Sequence, residues 1–250
     1  MLGVIRILLG PALMFQGNRV RRDILRLPEP AGARSGRKGE GSAISILVLG
    51  DSAAAGVGAP DQSIALSGQL VDWLAACHRV RWRLHAKTGW TITDGLDALA
   101  DLPDEQFDVA LVSLGVNDVT TETPLARWLT QYERIVERLR SGHGVKLIIA
   151  CALPPMDRFP ALPQPLRWYL GRKSRELDKA LAKWASRTEG MCHLPFDTKL
   201  ERDDFAEDGF HPGPGLYDGW ATAAAAIILP WAATHLSPAE DPEQSPDIQC

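Results

Sequence analysis

Short apolar runs and longer amphipathic stretches alternate along most of the chain. Short runs that are rich in apolar residues occur at residues 44–49, 80–86, 107–114, 146–152 and, more weakly, 191–196. Such runs are typical of strands that are buried on both faces of a sheet. Helical periodicity covers residues 61–77, 91–101, 123–141, 166–188 and 215–235. This alternation predicts an α/β fold in which five parallel strands, joined by right-handed crossovers, carry helices on both sides.

Two segments outside this alternation have a different composition. Residues 28–43 are rich in proline, glycine, arginine and serine, which predicts a linker. Residues 237–250 combine acidic residues with prolines and predict a solvated tail. We therefore expect an N-terminal arm and linker at residues 1–43, one catalytic-sized domain at 44–236 and an acidic tail at 237–250.

The apolar start of the arm needs its own interpretation. Gly10 and Pro11 interrupt the run, and most of the nearby arginines follow it. A spanning helix needs about 20 apolar residues, and a signal peptide carries its basic residues first. We expect residues 1–27 to pack on the protein or to touch a membrane surface, and the sequence leaves both open. A cytoplasmic location is favoured, with membrane association or export as alternatives.

Charge and cysteine usage exclude several classes of protein. The chain carries 27 basic and 31 acidic residues, for a net charge of -4, and its basic residues concentrate in the arm. A nucleic-acid-binding domain would show a basic face on the folded body, so we expect no nucleic-acid partner. The four cysteines are scattered without metal-ligand spacing. We therefore expect neither a metal site nor a disulfide framework, and nothing implies a cofactor.

Chemistry is expected where the strands end, because ligands of parallel α/β sheets bind beyond the carboxyl ends of the strands. The first strand ends in Gly50-Asp51-Ser52. A serine that opens the next helix would lie near free backbone amides and the positive end of the helix dipole, which suits a nucleophile. The same position also suits an ordinary helix N-cap. Neither a G-x-S-x-G elbow nor a phosphate-binding GxxxxGK[ST] loop occurs in the chain.

A possible base for this serine lies before the last helix. Asp208 precedes His211 by three residues, in a loop that is rich in glycine and proline. In a turn, that spacing lets the carboxylate accept the proton of one ring nitrogen, which leaves the other free to deprotonate a hydroxyl. The alternative is that both residues simply decorate a loop. We expect the other five histidines to be surface or core residues.

Two further residues could stabilise an anionic oxygen. Asn117 follows the third strand, and its side-chain amide could donate a hydrogen bond. Gly89 follows the second strand and could offer its backbone N–H without a side chain to block a substrate. Alone, each is ordinary turn chemistry. Together with Ser52 and the Asp-x-x-His pair, all fall where strands end or just before the last helix.

In this order the motifs resemble those of the SGNH, or GDSL-type, hydrolase and esterase family. The match extends over about residues 44–225 and consists of a GDS block, a glycine, a GxND block and a DxxH block. The resemblance implies a three-layer, flavodoxin-like fold with strand order 2-1-3-4-5. It also implies that Ser52 is the nucleophile, that His211 is the base, that Asp208 orients it, and that Ser52, Gly89 and Asn117 form an oxyanion hole. One departure is Ala53, where the family pattern has leucine.

By this resemblance we expect a serine esterase that hydrolyses carboxylic esters through an acyl-enzyme. The segment after the fourth strand could wall an apolar pocket with Met156, Phe159 and Leu162, and Trp90 could flank it. The chain shows no long hydrophobic lid, which favours short-chain acyl groups in a small-molecule ester. Two alternatives stay open. One is an acyltransferase with the same triad and a sugar or alcohol acceptor, and the other is a non-catalytic module whose Gly50–Gly58 loop holds a phosphate. The oligomeric state is left open.

Overall fold

One mixed sheet forms the centre of the protein. The computed structural model describes residues 2–196 and 199–236, and residues 2–8 by their backbone only. The strands are β1 (Ser35–Lys38), β2 (Ser42–Gly50), β3 (His78–Ala86), β4 (Val109–Ser113), β5 (Leu147–Cys151) and β6 (Met191–Leu194). Their order across the sheet is β1-β3-β2-β4-β5-β6, with β1 antiparallel to β3 and all other neighbours parallel. The five parallel strands thus have the order 2-1-3-4-5, and the sequence missed the antiparallel edge strand.

That edge strand corrects the linker prediction for residues 28–43. Ser35–Lys38 pairs with β3, and β2 already begins at Ser42. The sequence of β1 is Ser-Gly-Arg-Lys, so it has no apolar residue by which a hydrophobic pattern could reveal it. Its polar side chains are typical of an edge strand, which backbone hydrogen bonds hold in place. The predicted tail at 237–250 lies outside the described residues.

The helices cover both faces of the sheet. They are α1 (Leu2–Asp23), α2 (Leu66–Ala75), α3 (Ile92–Ala98), α4 (Val116–Thr120), α5 (Leu125–His143), α6 (Leu166–Ala185) and α7 (Pro214–His235). The side chains of Leu47 and Leu49 join one buried cluster together with α1, α3, α4, α5 and α6. Their neighbours Ile46 and Val48 join a second cluster with α2 and α7. Because alternate residues of a strand face opposite sides, this confirms a sheet buried on both faces.

The N-terminal segment forms α1 and packs on the folded body. The helix continues through Pro11, which the sequence interpretation took as an interruption. Leu13 is buried in the first cluster, and the Gln16 side chain bonds the backbone of Gln164 and Leu166 at the start of α6. These tertiary contacts offset the backbone hydrogen bond that a proline removes from a helix. Within the described residues, no helix combines the length and apolarity needed to cross a bilayer.

The strand register aligns the positions at which chemistry is expected. Gly50 of β2 lies opposite Ala86 of β3 on one side and opposite Ser113 of β4 on the other. The three chains therefore leave the sheet side by side. Ser52 follows the first of these ends and Gly89 the second, which places both at one edge of the sheet.

Candidate active site

A chain of hydrogen bonds joins three of the predicted residues. The Nε2 atom of His211 lies 2.9 Å from the Ser52 hydroxyl. The Nδ1 atom of the same ring lies 2.5 Å from a carboxylate oxygen of Asp208. The structure therefore brings the predicted nucleophile, base and orienting carboxylate into direct contact.

The surroundings of Asp208 fix the tautomer of His211. Burial alone would raise the pKa of the Asp208 carboxyl, but hydrogen bonds from the His211 ring and from the amides of His211 and Phe210 outweigh it and hold the pKa below its ordinary value. An ionised carboxylate can only accept hydrogen bonds, so Nδ1 of His211 carries the proton. Nε2 is then the acceptor, and the Ser52 hydroxyl donates to it.

The backbone around Ser52 differs from the predicted helix start. Residues 52–58 form consecutive turns, and α2 begins only at Leu66. The turns are closed by backbone hydrogen bonds from Ala55 to Asp51 and from Val57 to Ser52. The dipole of α2 therefore does not act on Ser52, and the prediction that this serine opens a helix is wrong. Within the described residues, no protein acceptor takes the backbone N–H of Ser52.

The two predicted oxyanion donors lie in segments that are joined by a hydrogen bond, at the same edge of the sheet as Ser52. The Asn117 side chain donates to the backbone carbonyl of Trp90 over 2.9 Å, which ties it to the loop that contains Gly89. A side-chain amide has two N–H groups, so one remains for another acceptor. Gly89 has φ +89°, a conformation that favours glycine, and a Cβ there would meet nothing within 4 Å. In the described part of the chain, no protein acceptor takes the backbone N–H of Gly89.

An apolar cavity of about 150 Å³ opens at Ser52 and His211. It extends between the carboxyl ends of β4, β5 and β6 and one face of α7. Side chains that line it include Leu153, Phe159, Phe205, Phe210, Leu216 and Trp220. The Phe159 ring packs at right angles against the Phe210 ring, which in turn contacts the His211 imidazole. The triad therefore lies beside a wall of apolar, aromatic side chains.

The structure corrects most of the predicted pocket residues. Phe159 lines the cavity, as expected. Met156 and Leu162 are buried in the core and lie outside the described lining, because their short segment folds back onto α6. Trp90 packs beside the His85 ring, with centroids 5.3 Å apart, and also lies outside that lining. Ala53 lines the cavity. The family pattern has leucine at this position, so the smaller side chain of alanine leaves room there.

The sequence analysis missed several residues of the cavity wall. Phe205 precedes Asp208 by three residues and Phe210 directly precedes His211, and their closeness to that motif is a signal that could have identified them. Trp220 lies on α7, which is apolar around much of its circumference, so periodicity does not single it out. It lines the cavity together with Leu216 of the same helix.

Two buried polar groups in the cavity wall have shifted pKa values. Burial raises the pKa of Asp51 to about 7, and the negative charge of Asp118 adds to this, while the Ala53 amide and His211 oppose it. Burial also raises the pKa of the Cys151 thiol to about 12, which the nearby Trp220 opposes in part and the charge of Asp51 reinforces. A thiol with that pKa stays protonated, so Cys151 does not compete with Ser52 as a nucleophile.

One protein family matches most of the chain. The model of the GDSL-like Lipase/Acylhydrolase family matches residues 48–218, which include Ser52, Gly89, Asn117, Asp208 and His211. No curated protein matches the chain in sequence.

Solved structures with the same fold include several esterases. TesA is 21% identical over 74% of this chain and 98% of its own, with a TM-score of 0.60. The psychrotrophic esterase EstA from Pseudoalteromonas sp., in a structure inhibited by monoethylphosphonate, is 19% identical over 76% and 98%, with a TM-score of 0.58. A family 3 carbohydrate esterase from Clostridium thermocellum is 16% identical over 76% and 98%, also with a TM-score of 0.58. At these identities the likeness establishes the fold.

Proposed function

Because the chain belongs to the GDSL-like lipase/acylhydrolase family and is therefore a serine hydrolase of ester bonds, we propose that it cleaves small carboxylic esters with short acyl chains through an acyl-enzyme on Ser52. The observation that carries this proposal is the hydrogen-bonded series from the Ser52 hydroxyl through His211 to Asp208. Family membership argues against the non-catalytic ligand module.

In the first half-reaction, the Ser52 oxygen attacks the ester carbonyl while its proton moves to Nε2 of His211. The carbonyl oxygen becomes an oxyanion, for which the backbone N–H groups of Ser52 and Gly89 and the Asn117 amide supply donors. When the tetrahedral intermediate collapses, the bond to the alcohol oxygen breaks and His211 returns the proton to the leaving alcohol. An acyl-Ser52 ester remains.

Water completes the cycle by the same steps. Nε2 of His211 takes a proton from water, the hydroxide oxygen attacks the acyl carbonyl, and collapse returns the proton to the Ser52 oxygen as the acid leaves. Asp208 keeps its charge throughout and stabilises the imidazolium that forms in each half-reaction. An alcohol in place of water would give acyl transfer, and analysis of the products with and without an added polyol separates the two reactions.

The cavity supports a short acyl chain. Its volume of about 150 Å³ resembles that of an apolar protein cavity which holds one benzene molecule. Benzene has six carbons, so a cavity of this volume suits an acyl chain of about six carbons. Longer chains need space that Trp220 and the phenylalanines of the wall occupy.

Hydrolysis of p-nitrophenyl acetate, butyrate, hexanoate and decanoate tests the proposal. We expect activity on the shorter esters, and its loss in Ser52→Ala. Ser141→Ala is the matched control, because that serine is exposed on α5 and bonds only the carbonyl of Glu137. An organophosphonate label should map to Ser52 by mass spectrometry. A label on another serine, or full activity in Ser52→Ala, overturns the proposal.

A further inference from the structure

The exposed large apolar side chains of the protein are not evenly spread. Met14 is 70% exposed and Phe15 is 68% exposed on α1, and Leu25 just after it is 51% exposed. Trp168 is exposed on the first turn of α6. Single exposed apolar side chains are normal on folded proteins, but several on neighbouring elements mark a candidate interaction surface.

Three of these side chains, those of Met14, Phe15 and Trp168, lie within two residues of a contact between α1 and the start of α6. Gln16 follows Met14 and Phe15 directly, and its side chain bonds both the Gln164 carbonyl and the Leu166 amide. Trp168 lies two residues beyond Leu166 in the same helix. The contact between α1 and the start of α6 therefore presents apolar side chains from both helices, and we call this surface the α1–α6 face.

The chain segments that form the α1–α6 face are rich in basic residues, one of which, Arg175, pairs with Asp157. Residues 9–27 and 163–175 together contain eight basic residues and one acid, Asp23, a net charge of +7, whereas the whole chain carries -4. The basic residues are Arg19, Arg21, Arg22, Arg26, Arg167, Arg172, Lys173 and Arg175. The Arg172 guanidinium lies 5.7 Å from the centre of the Trp168 ring. Apolar and aromatic groups within a basic surround are typical of surfaces that bind anionic lipid.

The α1–α6 face belongs to the edge of the sheet that carries the site. Arg21 donates to the backbone carbonyl of Thr120, the last residue of α4, which follows β4. Gln164 precedes α6 in the segment that follows β5. Both contacts lie beyond the carboxyl ends of strands, as Ser52 does. A partner that binds the α1–α6 face would therefore lie at the same edge of the sheet as the candidate active site, beyond the carboxyl ends of the strands.

We propose that the α1–α6 face docks the protein on a phospholipid bilayer that contains anionic headgroups. Met14, Phe15, Leu25 and Trp168 insert at the level of the headgroups, and the arginines pair with phosphates. A second copy of the chain fits this face poorly, because a symmetric contact would bring two predominantly basic pairs of segments against each other. The inference is independent of which ester the enzyme cleaves.

Flotation of the full chain with two kinds of vesicle tests the proposal. We expect binding to vesicles of phosphatidylcholine mixed with phosphatidylglycerol, and binding that is weaker by about tenfold or more to vesicles of phosphatidylcholine alone, because basic residues are attracted to an anionic surface. Raising the salt from about 0.1 to 1 M should release most of the protein, because the Debye length falls to about 3 Å. The same binding by Ser52→Ala keeps this readout separate from catalysis.

Matched variants identify the surface. The double change Met14→Asp with Phe15→Asp should weaken binding by about tenfold or more, and so should Arg22→Glu with Arg26→Glu. The apolar control is Ile64→Asp with Trp73→Asp, because these exposed side chains lie beside Asp72 and Asp218 on the other face of the sheet. The charge control is Arg134→Glu with Arg138→Glu, exposed on α5. Neither control should change binding, and thermal melts check that each variant is folded.

Three results overturn the proposal. The first is no binding to the mixed vesicles at low salt, and the second is equal loss of binding in the control variants. The third is a concentration-dependent dimer in size-exclusion chromatography that the Met14 and Phe15 changes abolish while vesicles fail to bind. That result would assign the face to a second copy of the chain.

Discussion

The Ser52 hydroxyl donates to Nε2 of His211 over 2.9 Å, although 159 positions separate the two residues in the chain. Other contacts between the same two segments hold them in register. The Tyr217 hydroxyl at the start of α7 donates to the Val57 carbonyl over 2.7 Å, and Gly58 lies against the carbonyl of Pro212. The nucleophile and its base are therefore placed by the fold itself, before any substrate arrives.

Asp208→Asn should lower kcat by about 10⁴-fold and leave KM within a few fold, as in triads where the same change stabilises the wrong imidazole tautomer. The Asn amide can donate to Nδ1, which moves the ring proton to Nε2, and Nε2 can then no longer accept the proton of Ser52. Steady-state kinetics with p-nitrophenyl butyrate measure the change.

A second Asp–His pair in the protein is the control for Asp208. Asp178 of α6 lies 2.9 Å from Nε2 of His193 in β6 and also accepts from the Leu153 amide. This pair has no contact with Ser52, so Asp178→Asn should change kcat by less than about tenfold. Equal losses in the two variants would mean that Asp208 acts through the general stability of the fold and has no specific role in catalysis.

Asn117→Ala should lower kcat by about 10²- to 10³-fold, the usual cost of one oxyanion donor. Because the donor acts on charge that develops in the transition state, KM should change little. The Asn117 side chain also bonds the Trp90 carbonyl, so part of the loss could come from a shifted Gly89 loop. Circular dichroism and the melting temperature should match those of the parent. Unchanged kcat would remove Asn117 from the oxyanion hole.

Trp220→Ala should move the preferred acyl chain to greater length. The Trp220 side chain lines the cavity, so its removal leaves room for additional methylene groups, each of which discriminates substrates by about 10-fold or more in such pockets. The ratio of kcat/KM for octanoate over butyrate esters should rise by about tenfold or more. Trp231→Ala on the same helix is the control, because that ring stacks on His235 away from the cavity. A chain-length profile unchanged in Trp220→Ala would place the acyl group elsewhere.

The hydrophobic pattern was sufficient to predict the parallel sheet and its main helices. The strands β2, β4 and β5 have buried, apolar runs, and the helices α5 and α6 have a clear 3.6-residue periodicity, so the pattern is strong there. The same signal fails for β1, whose four residues are all polar or glycine, and for α1, which continues through Pro11 because tertiary contacts hold it. Whether β1 pairs at the edge of the sheet and whether α1 packs on the folded body depend on residues elsewhere in the chain. A local sequence pattern does not contain that information.

The candidate site likewise contains residues that the sequence could predict and residues that it could not. Residues in short motifs, such as Asp208 and His211, could be identified because their spacing has a chemical meaning. The cavity wall could not, because which apolar side chains face the substrate depends on how loops fold. Met156 and Phe159 are three residues apart in one loop, yet the first is buried in the core and the second lines the cavity. The turn at Ser52 was likewise mistaken for a helix start, since serine favours both.

Gly58→Ala should impair both activity and stability. Gly58 has φ +101°, and a Cβ there would lie 2.2 Å from the carbonyl oxygen of Pro212, the residue after His211. The chain must shift at that contact, and displacement of a catalytic group by about 1 Å can cost about 10²-fold in rate. The strained backbone adds about 1–3 kcal/mol to the loss of unfolding free energy. Gly215→Ala in the first turn of α7, where a Cβ would meet nothing within 4 Å, should leave both quantities nearly unchanged.

Asp51 should make the protein less stable as the pH rises towards neutrality. Its folded-state pKa of about 7 lies above the ordinary value of 3.8, so between these values the folded state holds a proton that the unfolded state has lost. The stabilisation is complete below pH 4 and disappears as the pH approaches 7. The contribution of Asp51 to the free energy of unfolding therefore falls by about 2–3 kcal/mol between pH 5 and 7.5. The lowered pKa of Asp208 acts in the opposite sense and only in acid, below that range.

Chemical denaturation of the parent and of Asp51→Asn at pH 5 and at pH 7.5 measures this contribution. Other groups that titrate in the range are present in both proteins, so the difference between the two pH dependences isolates Asp51. We expect the unfolding free energy of the parent to fall more steeply with pH than that of the variant, because an amide at this position cannot lose a proton. Parallel pH dependences would show that the Asp51 carboxylate is already ionised at pH 5, and that the buried wall of the cavity carries a permanent negative charge beside His211.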